Sequence, residues 1–531
     1  MELISLKFAL FLVASLTAYY VVGRLAPKHQ WIVLLASSMA FYRLVGSWKT
    51  LVLLVVVALI TWAAALGLHA LDKTCARERK ATKDRAARKA LKQRYLVRKR
   101  LVLIAALVAC IGILGYFKYW NVLLYYAGQA PDTFSLGILL PLCISFYTFQ
   151  AVGYLIDAYN AKYAPERNFA RYLLFVSWFP QIIQGPINRF DQLSSQLMEP
   201  HGPGGLHVER GMLRLGYGLL KKIAIANVLS NAVWAVFHTA AGPTIPGSLS
   251  LYGVLVYSIQ MYADFSGGID IVEGISELFG IGMAQNFRQP YFSVSLADFW
   301  RRWHMSLGAW MRDYVFYPLA VTSGSRRFGK WAGRHFGKHA GRTLPACVAN
   351  IVVFLLVGLW HGAETHYVAW GLYNGVVVAL SDLCTPLFDK LVEVTRVRRE
   401  SWGFHLFGIV RTFAVVCVGR YFDCFEHVSD ALFAMRNAVT GFSFEPIGTA
   451  LEHAGAIYAS SWGFTVPTLL ACVFVFVVDV FYERGTNVRD AVLAWRLPLR
   501  VVLYAALFVL VASAAALDTT GGGGGFLYAN F

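Results

Sequence analysis

The chain has 531 residues, of which 57% are hydrophobic and 15% are charged, and this composition excludes an ordinary soluble enzyme of the same length. The formal net charge is +18, and most of the excess lies in residues 73–100, where thirteen Lys or Arg stand against Glu78 and Asp84. Only Tyr95 in that segment is aromatic, so it lacks the stacking groups of a nucleic-acid-binding surface. We therefore expect a protein of the lipid membrane that binds no nucleic acid.

Apolar runs of membrane-spanning length recur along the chain and predict transmembrane helices. In chain order the runs are 3–22, 51–71, 101–126, 466–481 and 501–517, with a less uniform run at 406–418. At about 20 apolar residues per crossing, we expect about 10–12 transmembrane helices plus re-entrant pieces. The predicted fold class is an all-α polytopic membrane protein, with residues 1–520 as one membrane domain.

Charge asymmetry predicts which connections face the cytoplasm, because Lys and Arg are enriched in cytoplasmic loops. Residues 425–463 carry one Arg against four acidic residues and are predicted outside. The basic segments are predicted inside; they are 73–100, 326–342, 396–399 and 483–500. We interpret the basic cytoplasmic loop 73–100 as topogenic, with contact to anionic lipid or to an acidic carrier as further roles. The last apolar run then leads outward and places residues 521–531 on the external face.

The eight cysteines are scattered, mostly within or beside apolar runs. No CxxC pair and no Cys/His cluster is present in the sequence, so we expect neither a disulfide framework nor a metal site. These cysteines are interpreted as small buried hydrophobic residues, and no bound cofactor is expected.

Between about residues 141 and 375, polar and charged side chains accumulate among aromatic ones. Charge at membrane depth is costly unless it is paired or lines a wet cavity, so this density predicts a tunnel or funnel. The first block is 179–186, where Pro180 and Pro186 flank two glutamines and Gly185. Prolines interrupt a helix, and membranes tolerate the freed backbone groups only inside protein or beside water. We expect a broken helix here.

The second block, residues 262–318, carries charged side chains among heavy aromatics. They include Asp264, Asp270, Asp298, Arg301, Arg302, His304, Arg312 and Asp313. The spacing of Asp298 and Arg302 puts them on one helix face as a candidate ion pair. His304 precedes the basic segment 326–342, so we expect it toward the cytoplasm. An interfacial amphipathic helix with snorkelling arginines is the alternative interpretation.

The third block, residues 358–364, begins a polar hairpin after the apolar run 351–357. His361 stands between Trp360 and Gly362, and the nearby glycines suggest backbone room for a substrate. An imidazole suits general-base work on a hydroxyl. Because the chain enters this block from a basic loop, His361 is predicted deep in the membrane or nearer the outer face. A hydrogen-bonded structural histidine is the alternative.

The chain ends in five glycines and a short aromatic segment, residues 521–531. A glycine run does not hold a helix or strand, because each glycine loses much backbone entropy on ordering. It therefore predicts a loose tether that lets the hydroxyl of Tyr528 reach back into the protein. An ordinary frayed terminus is the alternative interpretation.

Together these blocks resemble the membrane-bound O-acyltransferase family, in particular its bacterial, alginate O-acetylase-like branch. The resemblance covers most of the chain, and its motifs are 140–149, 179–186, 262–270, 298–313 and 359–362. The sequence departs from the usual acetylase pattern at Gly268 and Ile269, where that pattern has Tyr and Ser, and residues 73–100 are unusually basic. The resemblance implies a ring of helices around a central tunnel where cytoplasmic and external cavities meet.

The resemblance also implies roles for three residues. In the family, the histidine that matches His361 is catalytic, and the one that matches His304 belongs to the cytoplasmic approach to the tunnel. The ending 526–531 fits the family's FxYxxF pattern, whose tyrosine, here Tyr528, carries the acyl group outward. In this chain the ending is fused to the membrane domain, which resembles the acetylase type of the family, whereas the D-alanyl system has the ending on a separate small protein. We therefore take His361, His304 and Tyr528 as the candidate catalytic residues.

The implied reaction moves an acyl group, acetyl in our interpretation, across the bilayer without its donor. Acetyl-CoA or a thioester on an acyl carrier protein would enter from the cytoplasm, with its phosphates held by arginines. Candidate donor or substrate contacts are Arg301, Arg302, Arg312, Asp298, Trp360 and Asp264. His361 would activate Tyr528, whose ordinary pKa of about 10 leaves it neutral. An external SGNH-type acyltransferase would then pass the group to a polysaccharide.

Several alternatives stay open from the sequence alone. His361 would transfer the group directly to an external acceptor if Tyr528 only docks a partner. D-alanyl transfer to teichoic acid is a second enzyme function, and a glycan transporter is a non-enzymatic one, although we see no inverted repeat. Either Asp264 or Asp270 would orient an imidazole. The predicted location is the inner membrane of a bacterium.

Overall fold

The structure is a computed structural model, and it describes residues 4–128, 144–239, 245–442 and 465–517. Within those ranges every regular element is a helix, and no strand occurs. The chain divides into two compact units, Met1–Met212 with Val272–Ala284 and Leu213–Ile271 with Gln285–Phe531. The predicted all-α class is confirmed.

The α-helices of the first unit range from six to 42 residues in length. In chain order its helices are α1 (Leu6–Leu25), α2 (Gln30–Val45), α3 (Trp48–Ala81), α4 (Arg85–Tyr126), α5 (Ile144–Tyr159), α6 (Phe169–Ser177), α7 (Phe179–Gln184) and α8 (Phe190–Met198). The next helix, α9 (Gly205–Leu219), begins in this unit. Hydroxyl caps start several of these helices; the Ser5 hydroxyl, for example, accepts from Phe8 N at 3.2 Å.

The second unit contains the remaining α-helices and the two π-helices. In chain order they are a π-helix (Leu220–Asn227), α10 (Val228–Thr239), α11 (Gly247–Leu278), α12 (Leu296–Arg302), α13 (Met305–Met311), a second π-helix (Arg312–Phe316), α14 (Tyr317–Ala320), α15 (Ser323–His361), α16 (Thr365–Leu383), α17 (Thr385–Thr395), α18 (Trp402–Cys424), α19 (Val428–Thr440), α20 (Val466–Glu483), α21 (Val488–Leu493) and α22 (Leu497–Leu517). The end of α11, from residue 272 onward, belongs to the first unit. Helix α15 bends at Gly337, where φ is 89°.

Among the residues that the structure describes, seven helices are long and apolar enough to cross a membrane. They are Leu6–Leu25, Trp48–Ala81, Arg85–Trp120, Ser323–His361, Trp402–Cys424, Val466–Glu483 and Leu497–Ala516. Six of them overlap the apolar runs predicted from the sequence, and α15 adds one whose first half is basic. The protein is a multi-pass membrane protein, whereas the count of about 10–12 crossings and the ring around a tunnel stay predictions.

The basic segment 73–100, predicted as a loop, is helical except at residues 82–84. It forms the end of α3 and the start of α4, because Lys, Arg and Ala are strong helix formers. Lys99 Nζ lies 2.8 Å from Asp72, and the Tyr95 hydroxyl donates to Glu78 at 2.9 Å. These contacts join the two helices side by side beyond their apolar parts.

The predicted helix break in residues 179–186 is confirmed, since α7 covers only Phe179–Gln184. Gln181 of this helix is held by two neighbouring amides, since Gln150 Nε2 and Asn188 Nδ2 donate to Gln181 Oε1 at 3.0 and 3.1 Å. The polar block therefore lies inside protein, which is where a membrane protein tolerates interrupted helices.

Candidate active site

The first predicted site residue, His304, lies at the sharp connection between α12 and α13. Helix α12 begins at Ser295, whose hydroxyl accepts from Asp298 N at 3.1 Å, and its C-cap is Trp303. His304 then adopts left-handed backbone angles (φ 47°, ψ 51°), which cost a residue with a side chain about 1–2 kcal/mol. Such a conformation persists only where surrounding contacts hold it.

Asn286 supplies those contacts. Its backbone carbonyl accepts from Met305 N at 2.9 Å, and its side-chain Oδ1 accepts from Ser306 N and Oγ at 3.1 and 2.8 Å. The same Oδ1 lies 3.1 Å from His304 Nδ1, and both residues are buried. Burial lowers the pKa of the His304 imidazole to about 3, so the ring is neutral at physiological pH.

The second predicted histidine, His361, is half-buried and is the last residue of α15. Gly362 N donates to the Gly358 carbonyl at 3.1 Å and closes the helix. A methyl group at Gly358 would overlap the backbone carbonyl of Tyr367 on α16, and one at Gly362 would meet the Glu364 and Tyr367 side chains. The expectation that these glycines leave room for a substrate is therefore wrong, because the protein's own helix hairpin fills that space.

A row of aromatic rings connects the two histidines. The Trp360 ring lies 5.9 Å from the His304 ring and 4.9 Å from the His361 ring, measured between centroids. Phe265 meets His304 edge-on at 4.9 Å, and Trp370 meets His361 at 5.3 Å. Trp360, a candidate substrate contact from the sequence, thus touches both imidazoles. The structure brings the two motif histidines together on one buried indole.

The three candidate donor-binding arginines have different surroundings. Arg302 is largely buried, with Nε 3.1 Å from Asp298 and Nη1 2.7 Å from Glu483 on α20. The predicted Asp298–Arg302 pair is confirmed. The second ion pair of Arg302, with Glu483, was not predicted, because no local spacing connects the two residues. Arg301 and Arg312 are exposed. Both are therefore more accessible to an incoming phosphate than Arg302, which two carboxylates already neutralise, although Arg312 Nε lies 3.0 Å from the Asp313 carboxylate.

Asp264 and Asp270, the candidate orienting carboxylates, both pair with cations. Lys222 Nζ lies 2.6 Å from Asp264, and Asp270 pairs with Lys221 and with Arg214, the latter at 3.1 Å. Lys221, Lys222 and Asp264 are buried. The two lysines lie on the π-helix after α9 and were not among the site residues predicted from the sequence. Adjacent lysines within the apolar string LLKKIAIANVL were the available signal, because buried cations in a membrane protein require partners.

Two predicted parts of the site lie outside the described residues. They are the start of the motif at 140–143 and the tail 521–531 with Tyr528. The role of Tyr528 therefore stays a prediction. Within the part of the chain that the structure describes, no group of three or more His, Cys, Asp or Glu is arranged to hold a metal ion.

The chain matches the model of one protein family. Residues 166–333 and 326–422 match the family model described as MBOAT, membrane-bound O-acyltransferase family. These matches contain both histidines and the Trp360 indole that they share.

The curated relatives include proteins with three different named activities. A probable alginate O-acetylase of Pseudomonas syringae pv. tomato is 34% identical over 323 residues, which are 60% of this chain and 56% of that protein. A peptidoglycan O-acetyltransferase of Helicobacter pylori is 31% identical, over 53% of this chain and 55% of that protein. A teichoic acid D-alanyltransferase of Bacillus subtilis is 28% identical, over 60% and 77%. The chain spans about half the length of the alginate O-acetylases that it matches.

Proposed function

We propose that the chain is a member of the membrane-bound O-acyltransferase family, whose model matches residues 166–333 and 326–422, and that it transfers an acyl group from a cytoplasmic thioester donor across the membrane. The group is acetyl and its destination is a hydroxyl of an extracytoplasmic polysaccharide. The observation that carries this proposal is the contact of His304 and His361 with the same buried indole, Trp360. Relatives named for alginate and peptidoglycan O-acetylation support the acetyl group and the polysaccharide acceptor.

In this proposal His361 is the general base. It takes the proton of the attacking hydroxyl while the hydroxyl oxygen bonds to the thioester carbonyl carbon. The carbon–sulfur bond breaks, and the departing thiolate receives the proton from the imidazolium. The products are an oxygen ester and a free thiol, and His361 returns to its neutral form. The half-buried position of His361 at a helix end supports this role, because a base has to meet its substrate.

The other site residues bind and position. Trp360 contacts both imidazoles and would hold the reacting groups beside His361. Exposed Arg301 and Arg312 would meet the donor's phosphates, since a guanidinium binds phosphate through a fork of N–H groups. Acetyl-CoA and a carrier-bound acyl thioester both present such phosphates. The D-alanyltransferase relative makes a D-alanyl thioester the donor to test in parallel.

Tyr528 is the proposed first acceptor. The glycine tether and the FxYxxF ending support a tail that enters the site, receives the acyl group as a tyrosyl ester and returns outward. An external SGNH-type acyltransferase would then move the group to the polysaccharide. Each step exchanges one ester bond for another, so the acyl group stays activated until it reaches its acceptor.

The proposal is tested in bacterial cells that depend on this protein for polysaccharide acylation. We expect His361→Ala and Tyr528→Phe each to abolish ester-linked acetate on the polysaccharide while the protein stays in the membrane. His366→Gln is the matched control, since His366 is a buried histidine of the same hairpin whose Nδ1 lies 3.0 Å from the Glu426 carbonyl. Normal acetate in the His361→Ala cells would contradict the proposed function, whereas normal acetate in the Tyr528→Phe cells alone would contradict the shuttle.

A further inference from the structure

We propose that Asn286 is a positioning residue, which fixes His304 as the tautomer protonated on Nδ1, so that His304 serves the site as a hydrogen-bond acceptor through Nε2. The tautomer follows from the contacts of Asn286 alone. Its consequence for acyl transfer rests on the proposed function.

The contacts of Asn286 decide which ring nitrogen carries the proton. Ser306 N is a backbone donor, and it lies 3.1 Å from Asn286 Oδ1, so the amide atom at that position must be the accepting oxygen. A reversed amide would set two N–H donors against each other. Because Oδ1 only accepts, His304 Nδ1 at 3.1 Å must donate to it. A neutral imidazole has one N–H, so Nε2 carries the lone pair.

The backbone around His304 keeps this arrangement in place. The segment that contains Asn286 is bonded to the chain on both sides of His304, through Met305 N to the Asn286 carbonyl at 2.9 Å and through Arg288 N to the Arg302 carbonyl at 3.0 Å. These bonds hold the left-handed conformation of His304, in which its ring is directed at Asn286 Oδ1. Loss of the Asn286 side chain would therefore release the ring from its one fixed orientation.

The surroundings of the ring support an accepting role. Phe265 meets it edge-on at 4.9 Å, Trp360 packs at 5.9 Å, and the histidine is 4% exposed. Burial among aromatic rings disfavours the imidazolium ion. His304 therefore does not bind a phosphate as a cation. Its Nε2 contributes to the site by accepting a hydrogen bond from an N–H or O–H group.

The tautomer is measurable without any transfer reaction. Nitrogen-15 spectra of protein labelled at histidine distinguish protonated from unprotonated ring nitrogens, and the His304 signals are those lost in His304→Gln. We expect Nδ1 protonated and Nε2 unprotonated in the wild-type protein and in Asn286→Asp, whose carboxylate also accepts. Asn286→Leu is expected to show both tautomers. Gln30→Leu is the control, because Gln30 is another buried side-chain amide, which accepts from His201 N at 2.9 Å, and the His304 signals should not change.

Acyl transfer gives the second readout. We expect Asn286→Leu to lower kcat by about tenfold to a hundredfold, as for other residues that orient a histidine, and Asn286→Asp to restore most of it. A wild-type His304 protonated on Nε2, or an Asn286→Leu protein with an unchanged tautomer, would overturn the proposal. If Asn286→Leu does not fold, the wild-type and Asn286→Asp spectra still show whether Nδ1 or Nε2 of His304 carries the proton. Absence of transfer in every protein would contradict the proposed function and leave the tautomer result standing.

Discussion

The two histidines of the site are held in different ways. His304 sits in a strained left-handed conformation, is buried, and donates to Asn286. His361 ends a long helix in an unstrained position, is half-buried, and is placed by the close backbone packing of α15 against α16 at Gly358. The first arrangement fixes a neutral ring in one orientation, and the second presents a ring that can exchange protons with a substrate. The difference supports the proposal that His304 is a positioned acceptor and His361 the base.

The largest expected effect separates these two roles. We predict that His361→Gln lowers kcat for acetyl transfer by about 10²–10⁴-fold, the usual contribution of a general base. His304→Gln should lower it by only about 10–100-fold, as for loss of a positioning contact. Steady-state kinetics of the purified proteins measures both, with circular dichroism to confirm the fold. Equal losses of kcat in the two variants would contradict the assignment of different roles to the two histidines.

Arg302 and Arg301 are adjacent in sequence and offer a matched pair. Arg302→Gln leaves the carboxylates of Asp298 and Glu483 without their shared cation, so we expect the protein to lose about 1.5–3 kcal/mol of stability. Arg301→Gln should leave the unfolding temperature unchanged, because Arg301 is exposed, and should raise KM for acetyl-CoA. Thermal unfolding and donor titration test both statements. An unchanged unfolding temperature for Arg302→Gln would show that the buried ion pairs do not support the site.

Gly358 tests the packing that positions His361, and Gly67 serves as its control. Gly358→Ala inserts a methyl group against the Tyr367 carbonyl, and we expect a loss of about 1–3 kcal/mol together with reduced transfer. Gly67→Ala is the control, because no atom lies within 4 Å of the added methyl group and alanine favours the helix. A Gly358→Ala protein as stable and active as Gly67→Ala would mean that the hairpin does not position His361.

The smallest expected effect is a pH dependence of stability that His304 causes. The pKa of this buried histidine is lowered to about 3, whereas an unfolded histidine has a pKa of about 6.5. The unfolded chain therefore binds a proton that the folded protein excludes, and stability falls as the pH drops below about 6.5, by at most about 1.4 kcal/mol per pH unit. Unfolding temperatures between pH 7.5 and 5 should fall less steeply for His304→Gln. Equal slopes would mean that His304 takes up its proton in the folded protein.

Local sequence patterns predicted those structural features that depend only on residues close together in the chain. Long apolar runs gave the spanning helices, the prolines of 179–186 gave the helix break, and the i,i+4 spacing gave the Asp298–Arg302 pair. The two histidine motifs also marked residues that the structure brings to one indole. Each of these features is determined within one turn or one run of the chain, or by a motif that the family shares.

What the sequence did not predict depends on tertiary contacts. Asn286 reaches His304 only because an extended segment folds back along α12, and Glu483 reaches Arg302 from α20. The helical form of residues 73–100 was missed because the charge rule for loops concerns the side of the membrane and says nothing of conformation. The glycines beside His361 were assigned to a substrate because only the fold shows that α16 packs there.

The mass of the C-terminal peptide, measured after purified protein has been incubated with acetyl-CoA, tests the proposed transfer most directly. We expect one acetyl group on Tyr528 in the wild-type protein and in His366→Gln, and none in His361→Ala. An equal adduct in His361→Ala would contradict His361 as the base. A wild-type protein that releases free CoA and transfers acetyl to polysaccharide without any adduct on Tyr528 would contradict the tyrosyl ester.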